Sequence, residues 1–108
     1  MFVPNYKITE GKLGLFIFDL ARGEEEVRKR LIRVFTERGT FSIDDFPKEL
    51  QDNWSYIYQF MTSEPSSTYE SAYKNSLKNK RNKTCSIIVH KIIILYEEMK
   101  RHNLLNIS

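Results

Sequence analysis

The sequence predicts an all-α fold: a small bundle of four or five helices with a long, largely apolar C-terminal helix. Three observations carry that prediction. Four glycines and three prolines in 108 residues are too few for the many tight turns of a sandwich or barrel. Apolar residues recur at spacings of three and four in several separate stretches, the period of a helix face rather than a strand. The segment "SIIVHKIIIL" is rich in branched residues and locally strand-like, but it lies within a periodic run from 83 to 102, too long for an ordinary strand. With 41% hydrophobic and 29% charged residues, the chain has the composition of one folded domain over 1–108.

Taken in order, "LGLFIFDLA" (13–21) reads as a first helix, with Gly11 and Gly14 working against it. "RGEEEVRKRLIRVFTERG" (22–39) places Val27, Leu31, Val34 and Phe35 on one stripe. Glutamates open it, arginines close it in accord with the helix dipole, and Gly23 and Gly39 bracket it. The i,i+4 spacing predicts the pairs Glu24–Arg28, Glu25–Lys29 and Glu26–Arg30. A third helix is expected to start at Asp44 or Asp45 with Pro47 in its first turn, and to carry Phe46, Leu50, Trp54, Ile57, Tyr58 and Met61 on one face. "STYE" has capping-box spacing between Ser67 and Glu70, so a fourth helix is expected to begin there and show Tyr69, Ala72, Tyr73 and Leu77 on one side. "NKRN" breaks the chain, with Asn82 capping the final helix. Cys85, Ile88, Val89, Ile92, Leu95, Tyr96 and Met99 share one arc of that helix. Ile87 and Ile94 lie on the far side, and a helix apolar nearly all round is central in a bundle or covered by a partner.

Composition and spacing also bound function. The longest apolar runs, "LGLFIF" and "IIIL", are far short of the roughly 20 residues of a membrane span. A lone Cys85 and no recognisable signal peptide place the expected location in the cytoplasm. Cys85 and His90 stand about 140° apart on a helix and do not form a nucleophile–base pair. Glu98 and His102, at i,i+4, lack the second Glu–His motif that a bundle metal site uses, so no metal or other cofactor is expected. Eight residues separate Arg81 from His90, whereas a helical ribonuclease of the HEPN type needs four to six between Arg and His. No glycine loop cradles a phosphate or a dinucleotide. The expectation is a protein without enzymatic activity and without a small-molecule substrate.

Two surfaces remain. Tyr56 and Phe60, with Ile87 and Ile94, exceed what one small core needs and point to a protein partner or a homo-oligomer. The alternative is nucleic acid. Residues 71–108 carry 8 basic and 2 acidic side chains, against 9 and 12 in residues 1–70. Within 73–83, Lys74 has Glu70 as an i,i+4 partner, but Lys78, Lys80, Arg81 and Lys83 have no acid three or four residues away. Beside Tyr69 and Tyr73, these four unpaired cations, with Lys74, offer phosphate contacts and rings on which a base could stack.

The segments "ARGEEEVRKRL", "DDFPKEL" and "RNKTCSIIVHKIIILY" together resemble a set of short bacterial all-helical proteins of unassigned function. The resemblance spans about 80 residues and implies a compact helical domain of bacterial or mobile-element origin. It implies no catalytic residue. The reading closest to all these features is an accessory, immunity or inhibitor protein that works by binding another protein.

Overall fold

The computed structural model describes residues 5–106 and is entirely helical, with no strand among the described residues. Five helices follow in order: α1 (Tyr6–Ala21), α2 (Val27–Arg38), α3 (Gln51–Met61), α4 (Tyr69–Leu77) and α5 (Asn82–Leu105). Helix α5 is 24 residues long, about 36 Å at 1.5 Å per residue. The molecule as a whole measures 45 × 29 × 20 Å. Helices α1, α2 and α3 all pack on α5, the α1 contact being the most extensive, while α4 docks on α2 and α3.

Helix α1 starts well before the stretch read from sequence. Asn5 caps it, its Oδ1 accepting from the backbone N–H groups of Lys7 (3.1 Å) and Ile8 (3.3 Å). Thr9, Leu13, Phe16 and Leu20 form its buried face. Gly14 lies where α1 crosses α5; a Cβ built there would meet the Tyr96 ring at 3.4 Å. At the far end of this contact Asn103 donates to the Tyr6 carbonyl (3.1 Å) and to Glu10 Oε1 (2.8 Å).

Helix α2 begins at Val27 with Glu26 as its N-cap residue, so Glu24 and Glu25 lie outside the helix. The three predicted i,i+4 pairs are therefore absent. Arg28 instead pairs with Glu26, Arg33 with Glu25, and Arg38 with Asp19. Arg30 donates to the Leu20 carbonyl (2.8 Å). Arg33 also reaches Glu37 within α2 at 3.9 Å, but the shorter contacts of Arg30, Arg33 and Arg38 fasten α2 to α1 and to the loop between them.

The expected third helix is broken in two places. A 3-10 turn at Ile43–Asp45 is closed by a capping box between Ser42 and Asp45. Phe46, extended ahead of Pro47 as a residue before proline prefers, buries its ring in the core. A second 3-10 turn, Lys48–Leu50, leads into α3. Helix α4 is capped by Thr68, whose Oγ1 accepts from Ser71 N–H (3.1 Å), rather than by Ser67.

The core gathers residues from every helix. Leu31, Val34, Phe35, Ile57, Met61, Tyr73, Leu77, Cys85, Ile88, Ile92, Leu95 and Met99 are buried in one cluster with Leu13, Phe16 and Leu20. Trp54 sits among rings, stacked near Phe46 (5.5 Å between centroids) and Phe35 (6.2 Å), with Phe41 edge-on at 5.2 Å. Cys85 is buried, and desolvation raises its thiol pKa above the ordinary value, as expected for a small core residue rather than a nucleophile.

Candidate interaction surface

Helices α3 and α5 run side by side in opposite directions, held by one contact along them and two just beyond their starts. The Lys80 ammonium lies 5.5 Å over the Phe60 ring, the Lys91 ammonium 4.7 Å over the Tyr56 ring, and His102 Nδ1 2.9 Å from Glu49 Oε1. Between these points runs a shallow groove lined by Asp52, Asn53, Tyr56, Lys91 and Ile94. Tyr56 is 55% exposed, Ile87 50% and Ile94 41%. Helix α1 packs elsewhere on α5, through Tyr96 and Asn103, and leaves these side chains uncovered. Phe60 differs from the expectation: it is half-buried, packed against the core and roofed by Lys80. Three of the four anticipated partner-binding residues thus stand on one solvent-facing surface.

A second apolar strip escaped the sequence reading. Ile8, Leu15 and Phe18 are exposed on the side of α1 opposite its buried face. The usable signal was the 3-4-3-4 spacing of Tyr6, Thr9, Leu13, Phe16 and Leu20, which already placed the inner face of a longer helix and hence its outer one.

The basic segment divides. Tyr73 is 2% exposed, edge-on to Phe35 at 5.5 Å, and desolvation raises its phenol pKa to about 12. It is a core residue and offers no face to a base. Tyr69 is exposed, but it borders Tyr58 and the 40–43 loop. Lys74 and Lys78 instead face α2 across a groove of about 770 Å³. Aromatic ring and cations therefore occupy different sides of α4. Lys74 pairs with Glu70 at 3.0 Å as expected. Among the described residues, none of Lys78, Lys80, Arg81 and Lys83 has a carboxylate within 4.0 Å. The α2–α4 groove adds Lys29, whose expected partner Glu25 lies outside the helix and pairs with Arg33; among the described residues Lys29 has no carboxylate within 4.0 Å. Arg28 closes this corner by donating to the carbonyls of Lys78 (3.2 Å) and Lys80 (3.1 Å).

The remaining ionisable groups do not converge. His102 meets Glu49 rather than sharing a ligand with Glu98, and no group of three or more His, Cys, Asp or Glu side chains is arranged to hold a metal among the described residues. No described helix is long and apolar enough to cross a membrane. Compared with protein-family models, curated proteins and solved structures, the chain finds no match in any of the three.

Proposed function

We propose that this chain acts without chemistry of its own, by binding protein through the face formed by α3 and α5. One observation carries the reading: Tyr56, Ile87 and Ile94 remain at least two-fifths exposed although the core beneath them is complete. An aromatic ring between two aliphatic side chains is the composition of an interface centre, and Lys91, Lys80 and Asp52 supply a polar rim around it.

The test is photo-crosslinking in cells. A photoreactive residue placed in turn at positions 56, 87 and 94 is expected to give discrete protein adducts, while one at Lys29, in the groove between α2 and α4, gives none. Absence of adducts from all three positions overturns the reading.

Contact with a polyanion through Lys78, Lys80, Arg81 and Lys83 is the second reading. Its support is the missing carboxylate partners, extended by Lys29; the burial of Tyr73 removes base stacking from it. Retention on heparin that falls steeply with salt, and a smaller salt slope after Lys80→Ala with Arg81→Ala, are its expected signs. No retention at low salt overturns it.

A further inference from the structure

Lys83, Ile87, His90, Ile94, Glu97 and Arg101 follow one another along α5 at alternating spacings of four and three, and all six are exposed. Apolar residues at alternating spacings of that kind make the seam of a helix pair; here Ile87 and Ile94 fill two of the six positions, and charged or polar side chains fill the other four. We infer that a second copy of this chain occupies the seam, with the two α5 helices antiparallel about a two-fold axis at His90; this rests on the protein-binding reading above and names its partner.

The order of residues along the seam is what singles out this partner. Reversing the six positions about His90 sets Lys83 of one copy against Glu97 of the other. It sets Ile87 against Ile94, and His90 against itself. One symmetry operation makes each of these contacts twice, two ion pairs and two aliphatic pairs in all, as an isologous interface requires. Other alignments fail on the same residues. A parallel pair opposes Lys83 to Lys83 and Glu97 to Glu97. Sliding the antiparallel pair by one seam position sets Ile87 against Glu97 or Ile94 against Lys83. Arg101 lies past the opposing helix's first residue, Asn82, so the paired stretch ends at Glu97 and is about 21 Å long. Tyr56, its ring beside Lys91, flanks the axis. A contact this short falls at the small end of specific interfaces, which implies a dissociation constant in the micromolar range.

Sedimentation equilibrium from about 10 μM to about 1 mM spans that range. Dimerisation is expected. Lys83→Glu and Glu97→Lys should each weaken it about tenfold, since each change sets like charges against one another at two symmetric positions, and the double variant should recover to within about threefold. Ile87→Asp should abolish it while circular dichroism stays unchanged, the side chain being outside the core. His90→Cys should form a disulfide-linked dimer under mild oxidation, with the buried Cys85 inert and Lys29→Cys as the unlinked control. A double charge variant weaker than either single one overturns the register. A chain monomeric throughout overturns the second copy altogether. In that event, crosslinked adducts at 87 and 94 with a mass other than twice 12.9 kDa leave protein binding standing, and absence of adducts removes both.

Discussion

Two glycines with empty space around them should respond to alanine in opposite directions. A Cβ added at Gly11 or at Gly39 meets nothing within 4 Å, so sterics do not distinguish the two. Backbone geometry does. Gly11 lies inside α1 and has an ordinary negative φ. There alanine removes the entropic penalty of a mid-helix glycine, a gain of about 0.8–1 kcal/mol. Gly39 ends α2 with φ 73 and ψ −168, a region open essentially to glycine alone, where a side chain costs about 1–3 kcal/mol. At about 2.1 cal/mol/K per residue, unfolding of a chain this size carries an entropy near 0.23 kcal/mol/K. Gly11→Ala should therefore raise the thermal midpoint by about 4 °C and Gly39→Ala lower it by about 4–13 °C. Thermal unfolding followed by far-ultraviolet circular dichroism measures both. A lowered midpoint for Gly11→Ala would mean that α1 does not run unbroken through residue 11. An unchanged midpoint for Gly39→Ala would mean that α2 does not end in the conformation described.

Two further outcomes follow from the packing and the charges. Ile88→Ala removes a side chain that is buried where α5 meets the rest of the core and should cost about 2–4 kcal/mol in urea unfolding; a loss below about 1 kcal/mol would deny α5 its central place. Asp19 accepts a hydrogen bond from Arg38, which holds its carboxyl below the ordinary pKa. The native state then binds that proton more weakly than the unfolded chain. The resulting stability is present above the ordinary carboxyl pKa of about 4 and is lost as pH falls through the native value. Asp19→Asn should thus be less stable at neutral pH, with the two stability curves converging in acid; parallel curves throughout would refute the assignment.

Much of the architecture was legible because it depends on periodicity alone. The apolar stripe of α2 and the helical register of α5 follow from side-chain spacing, and both helices appear where that spacing puts them, with α5 running three residues past His102. What was illegible depended on where each helix starts. Placing the N-terminus of α2 two or three residues early put Glu24 and Glu25 on the helix and invented three ion pairs. The actual partners of Arg33 and Arg38, Glu25 and Asp19, are brought close only by the bend between α1 and α2. Pro47 suits the first turn of a helix, yet its constraint on Phe46 is the stronger signal, since it holds that residue extended with its ring in the core. On the candidate surface, the exposure of Ile87 and Ile94 could be read from the width of the apolar arc. The withdrawal of Tyr73 and Phe60 could not, because helix periodicity places a residue on a face without saying what lies opposite.

The position of Trp54 supplies an optical handle on all of these measurements. It is the only tryptophan in the chain, enclosed by Phe35, Phe41, Phe46 and Tyr58 at the junction of α2, α3 and the loop between them. Its emission in the native protein should be blue-shifted by that dry surround and move to longer wavelength only when the junction opens. Because Trp54 faces inward while the α5 seam faces outward, a change in assembly at Ile87 or Glu97 should leave the colour of the emission untouched. Loss of the fold would shift it, so a single spectrum separates dissociation from unfolding.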